Sequence, residues 1–108
     1  MDSAFVIRVA GPDQVGQIRE LTLRAYAKWV PITPRKPLPM TADYDLALQR
    51  HRFDCLYRGD EMVGLIETVQ QGDELMIVNV AIDPRHQGLG FGTRLMTHAE
   101  ERARTSGP

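Results

Sequence analysis

Hydrophobic and polar positions change period several times along this chain, and each change marks an element. Residues 4–9 read as a short β-like run ending at Gly11-Pro12-Asp13, a turn and helix-start signal. Val15, Ile18, Leu21, Leu23, Ala25, Tyr26 and Trp29 then recur largely at helical spacing. Pro31 ends that helix, because the residue before a proline avoids the α region. Prolines at 31, 34, 37 and 39 make the next stretch stiff and extended. Thr41 is placed to cap a second helix, with Asp43 in its first turn, running to about Arg50.

Three strands are predicted next, over residues 53–58, 62–70 and 74–82. They are separated by Gly59-Asp60 and Gly72-Asp73, short connections that read as hairpins and make the strands antiparallel neighbours. A last helix is expected over residues 90–104. Phe91, Leu95, Ala99 and Ala103 form its buried stripe, and Glu100, Glu101, Arg102 and Arg104 point mostly outward. Ser106-Gly107-Pro108 reads as its stop. The predicted order is β-α-α-β-β-β-α: one α+β domain with a mainly antiparallel sheet beside helices.

Composition narrows the function. The 108 residues carry 13 basic and 14 acidic side chains, a formal net charge of -1. No basic excess or polybasic run points to nucleic acid or an anionic membrane. The apolar run at residues 75–82 is far too short to span a bilayer. The N-terminus lacks the basic and apolar regions of a signal peptide. Cys55 is the only cysteine, which excludes an internal disulfide and suits a reducing compartment. A cytoplasmic protein is the expectation. The three histidines show no metal-ligand spacing, so no metal is expected.

The most informative stretch follows the third strand of the hairpins. Asn79-Val80-Ala81-Ile82-Asp83-Pro84 runs into a polar turn, and Gln87-Gly88-Leu89-Gly90-Phe91-Gly92-Thr93 opens the last helix. Glycines let a backbone approach a ligand closely, and the free N–H groups of a new helix point at negative charge. A dinucleotide fingerprint needs G-x-G-x-x-G in a βαβ unit, whereas this is G-x-G-x-G. A P-loop needs a Gly-Lys pair, which is absent here. The bland alternative is that the glycines only permit a tight strand-to-helix turn.

Gln87-Gly88-Leu89-Gly90-Phe91-Gly92 resembles the (Arg/Gln)-x-x-Gly-x-(Gly/Ala) signature of the GNAT superfamily of N-acetyltransferases. Val80-Ala81-Ile82-Asp83-Pro84 matches that family's strand-then-proline lead-in, and the element order matches the first two thirds of its acyl-CoA N-acyltransferase-like fold. Residues 26–30 and 37–40 also resemble a small bacterial subset. The resemblance implies transfer of an acetyl group from acetyl-CoA to a primary amine by direct attack in a ternary complex. It implies that Gln87, Gly88, Leu89, Gly90, Phe91, Gly92 and Thr93 hold the pyrophosphate, and that Val80, Ala81 and Ile82 lie along the pantetheine arm. A non-catalytic acyl-CoA-binding or interaction module is the alternative.

The transfer needs a base. Alternation puts Glu67 on the face of Val63, Leu65 and Val69, where apolar neighbours suit a carboxyl tuned for proton transfer. A surface acid at a strand end is the competing reading. Asn79 is a second candidate, to orient water or substrate, or else a core amide satisfied by backbone. Relatives in the subset carry an acid just before this asparagine, where Val78 stands. The resemblance makes Tyr26, Trp29 and Tyr44 the acceptor wall; for any one of them, ordinary aromatic packing against the sheet is the competing and favoured reading. Cys55 reads as a packed thiol and His86 as a solvated loop residue.

The family fold continues past this helix with another strand and helix, and its usual acid, a tyrosine, lies there. The expectation is therefore a C-terminally shortened acetyltransferase whose open 75–82 edge is covered in a homodimer.

Overall fold

The computed structural model describes residues 5–27 and 43–106. Trp29, the four prolines from Pro31 to Pro39 and the Thr41 cap lie outside them. Strand β1 (Phe5–Val9) leads through a single 3-10 turn, Pro12–Gln14, into helix α1 (Val15–Tyr26). Helix α2 is Tyr44–Arg50; strands β2 (Arg52–Arg58), β3 (Glu61–Gln71) and β4 (Glu74–Ile82) follow. A second 3-10 turn, Pro84–His86, precedes helix α3 (Phe91–Ser106). The α+β order read from the sequence is thus the observed one, and the sheet is antiparallel throughout in the order β1-β2-β3-β4.

Both faces of the sheet are covered, which is why β2 and β3 are buried almost end to end. On one face Ile18, Leu21 and Ala25 of α1 and Tyr44 of α2 pack on Phe53, Cys55, Leu65 and Ala81. On the other, Phe91, Leu95 and Ala99 of α3 pack on Leu56, Val63 and Ile66. Fully burying side chains of this size stabilises by about 1.5–3 kcal/mol each. Among the described residues no helix is long and apolar enough to cross a membrane.

Several expectations need correction. Asp43 lies at the cap of α2 and not in its first turn: its Oδ1 accepts the Leu46 N–H at 3.2 Å. Helix α3 starts at Phe91, one residue later than expected, because Gly90 is left-handed with φ of 83°. Leu23 is exposed, while Thr22 is buried in its place and returns its hydroxyl to Ile18 O at 2.8 Å. The bulge opposite Leu56 and Tyr57 gives β3 one extra residue, so Val63 turns to the α3 face while Leu65 and Glu67 share the α1 face.

Arg102 also departs from its predicted outward position. It follows His98 by four residues beside the buried stripe of α3, and both reach Asp54 on β2, which is 1% exposed. His98 Nε2 lies 3.4 Å and the Arg102 guanidinium 3.7 Å from the carboxylate, and Arg52 adds two donors at 3.2 Å. Arg102 also donates to Thr68 Oγ1 at 2.8 Å. Burial lowers the Arg102 pKa, and the Asp54 carboxylate opposes that shift. Asp54 is the buried anchor of this set, and removing it takes away the shared partner of three half-buried side chains and leaves a polar gap in the sheet face. Asp54→Ala is expected to destabilise the fold by about 3 kcal/mol, read as a lower urea midpoint at unchanged slope. A loss below about 0.5 kcal/mol would show that the cluster is not coupled to folding.

Candidate acyl-transfer site

Two neighbouring regions make the site: the turn that starts at the end of β4, and a polar cluster on the α1 face. Asp83 joins β4 to the turn. Its N–H donates to Val63 O at 2.8 Å, so this is a hydrogen-bonded pair of the antiparallel ladder. Hydrogen-bonding direction alternates along a strand, so Ala81 and Asn79 face β3, while the N–H and C=O of Val80 and Ile82 face away from it. Strand β4 is the last of the described sheet, and those groups therefore line an open edge. The Ile82 carbonyl accepts from Gln87 Nε2 at 3.2 Å, consistent with that direction.

The Asp83 carboxylate is buried and caps the turn, accepting the Arg85 N–H at 2.9 Å. It also accepts from the Arg85 and Arg24 side chains at 3.1 Å. The Arg85 bonds, helped by Arg24, hold its carboxyl well below the usual carboxylate range. Arg85 is engaged a second time by Glu61 at 2.6 Å, which with Asp83 raises the guanidinium pKa further.

Beyond this clamp the chain turns on two left-handed glycines, Gly88 (φ 82°) and Gly90 (φ 83°). A side chain at either is strained whatever the space, so the local turn alone explains those two. Gly92 is different. It lies inside α3 with no left-handed backbone, and a β-carbon there would meet nothing within 4 Å. The fold does not need glycine at this position. Arg94 N–H makes the first intrahelical bond, to Gly90 O at 3.0 Å, so the N–H groups of Phe91, Gly92 and Thr93 stand at the helix mouth. Among the described residues nothing lies within 4 Å of where a β-carbon at Gly88, Gly90 or Gly92 would stand, and Leu89 is exposed. His86 is not the solvated residue expected: it is half-buried with its ring centroid 6.2 Å from those of Phe5 and Phe91.

On the α1 face the structure brings together four of the residues singled out in the sequence. Glu67 on β3 stands directly opposite Asn79 on β4, and both are buried. The Tyr26 hydroxyl donates to Asn79 Oδ1 at 2.6 Å, while Asn79 Nδ2 has no partner among the described residues. Tyr44, 2% exposed, lies close enough to Glu67 and Tyr26 to feel both, and burial raises the pKa of each tyrosine. Glu67 does not sit among apolar groups alone: His51 Nδ1 lies 2.6 Å from its Oε2. His51 escaped the sequence reading. Its backbone N–H bonds to Ala47 O at the end of α2, which anchors it just before β2.

Just before Asn79, on the side of the cluster away from the turn, β4 bulges. Glu67 pairs with Asn79 and Thr68 with Ile77, so Val78 is the extra residue, exposed on the edge strand. Cys55 is fully buried and its thiol is pushed up to about 12 by burial, as a packed, unreactive thiol should be. A cleft of about 360 Å³ is lined by Gln17, Glu20, Arg24, Glu61, Met62 and Arg85; it adjoins the Asp83 clamp through Arg24 and Arg85 but includes neither the polar cluster nor the glycines.

The fold and the turn define an acyl-CoA N-acyltransferase-like domain. Residues 16–107 match the model of the acetyltransferase (GNAT) family, and the chain belongs to that family. Among solved structures it is similar to the ribosomal-protein-S18-alanine N-acetyltransferase of Escherichia coli, at 19% identity and TM-score 0.74 over 94% of this chain and 60% of that one. The PaiA N-acetyltransferase of Thermoplasma acidophilum, solved with coenzyme A, gives 14% identity and TM-score 0.76 over 94% of this chain and 72% of that one. A GNAT family acetyltransferase of Brucella melitensis, solved with acetyl-CoA, gives 20% and 0.75 over 95% and 70%. The chain thus spans about three fifths of the length of the Escherichia coli enzyme. No curated protein matches the sequence.

Because Asp83 is held ionised in the fold, its contribution is fully present above the unfolded carboxyl pKa of 3.8 and declines as pH falls below it. Asp83→Asn should therefore lower the thermal midpoint clearly at pH 7. The gap to wild type should begin to close below about pH 4 and vanish only in stronger acid. Equal midpoints at pH 7 would remove Asp83 as the clamp of the turn.

Proposed function

We propose that this domain binds acetyl-CoA along β4 and the mouth of α3 and transfers its acetyl group to a primary amine. The observation that carries the reading is Gly92: a glycine the fold does not require, at an open helix mouth, beside an outward-facing strand edge. Backbone N–H groups of residues 91–93, reinforced by the helix dipole, would take the pyrophosphate without a lysine. Val80 and Ile82 would pair with the amides of the pantetheine arm, and one of their N–H groups would donate to the thioester carbonyl as negative charge builds on its oxygen.

Tyr26, Asn79 and Glu67 lie on the α1 face of the same strands and offer the acceptor side. The amine arrives as an ammonium and must lose a proton before its lone pair can attack the carbonyl carbon. Glu67 is the proposed base. Attack forms the C–N bond and a tetrahedral oxyanion; collapse breaks the C–S bond and releases the thiolate. A second proton leaves nitrogen as the amide forms. The overall balance is one proton to the coenzyme A thiol and one to solvent. Asn79 Nδ2 supplies a free donor for a polar group of the acceptor.

Calorimetric titration with acetyl-CoA tests the reading. Gly92→Val should keep the fold, seen as an unchanged circular dichroism spectrum, and weaken binding by roughly 10- to 100-fold, the cost of one or two charge-assisted hydrogen bonds. Normal binding by that variant would remove the helix mouth as the diphosphate site. Glu67→Gln should bind acetyl-CoA as wild type does but lower thiol release with an amine by about 100-fold or more. Binding without thiol release in the wild type would mark a non-catalytic acyl-CoA module.

A further inference from the structure

We propose that His51 is a positioning residue for the base: its Nδ1–H holds Oε2 of Glu67, leaving Oε1 for the acceptor ammonium. The inference rests on the acyl-transfer reading above. It stands on geometry. His51 Nδ1 lies 2.6 Å from Oε2 of the Glu67 carboxylate. The Glu67 side chain is 7% exposed and that of His51 is 28%, so the imidazole bridges a buried carboxylate and the surface. Its backbone is pinned by the α2 cap and the start of β2, so the ring is delivered from a rigid element.

The chemistry follows from the pairing. A base that must meet an incoming ammonium in one geometry gains from a carboxylate held in one plane, and a donor on one oxygen fixes that plane. The proton taken from nitrogen passes to Oε1 of Glu67 and from there to solvent. Among the described residues the other titratable groups near the carboxylate are phenols, Tyr44 from α2 and, across Asn79, Tyr26 from α1, and burial raises the pKa of both.

Two measurements test this. In proton NMR the imidazole Nδ1–H should give a downfield, slowly exchanging resonance in the wild type that is lost in Glu67→Gln. If no such resonance exists, the pairing is absent and the inference falls whatever the enzyme does. Thiol release from acetyl-CoA is then measured with n-butylamine, protonated at neutral pH, and with methoxyamine, neutral there. His51→Ala should lower kcat/KM for n-butylamine by about 10- to 100-fold, because the base has lost the donor that positions it. The rate with methoxyamine, which needs no prior deprotonation, should change less than about threefold, and His51→Asn, which keeps an N–H at this place, should restore most of the n-butylamine rate. Acetyl-CoA affinity should stay at the wild-type value in both variants. Equal losses for the two amines, or no rescue by asparagine, would reduce His51 to a structural contact. Wild-type protein that fails to bind acetyl-CoA would overturn the acyl-transfer reading itself, leaving the NMR result to judge the pair.

Discussion

The buried carboxylate of Asp83 is the interaction on which the site depends. Its backbone ends the β3–β4 ladder, and its side chain caps the turn through the Arg85 N–H and draws in Arg24 from α1. One residue thus fixes where the open edge of β4 stops, where the glycine turn starts and how α1 lies against both. A 1% exposed carboxylate is costly unless its oxygens are filled, and here two arginines and a main-chain donor fill them. The position of the helix mouth relative to Val80 and Ile82 follows from that anchoring.

From this junction the two halves of the site use different materials. The α3 mouth and the β4 edge offer main-chain groups, which suits a long flexible thioester carrier whose diphosphate and amides want N–H and C=O partners. The α1 face offers side chains: Tyr26, Tyr44, Asn79, Glu67 and His51. Backbone geometry at the turn is dictated by glycine, so its chemistry is nearly independent of neighbouring side chains. The polar cluster instead depends on four elements meeting, α1, α2, β3 and β4, and a change in any of them alters what the carboxylate touches.

Much of this was legible in the sequence. The hairpin turns, the apolar stripe Phe91, Leu95 and Ala99 and the strand-to-glycine lead-in are local signals, and the structure has them in the expected order. The face of Glu67 was read only in part. Counting back from the Gly59-Asp60 turn without interruption would set Glu67 opposite Arg52; the extra residue Val63 moves its partner to Phe53 and brings His51 within reach. The bulge leaves no periodic trace here, because every position from Met62 to Ile66 is buried and apolar or small. His98 and Arg102 hid for a related reason: a cation on a helix reads as solvent-facing until a buried acid such as Asp54 is known to lie beneath it.

Sequence alone determined the elements, their antiparallel order and the glycine-lined helix start, because each follows from spacing within a few residues and from the backbone freedom of particular residue types. Tertiary structure decided that Gly92 is free of any folding duty, that Val80 and Ile82 turn their main chain outward, and that a histidine from the end of α2 meets a glutamate on β3. Those facts depend on register and on packing between distant segments, where a single inserted residue re-aims every side chain beyond it.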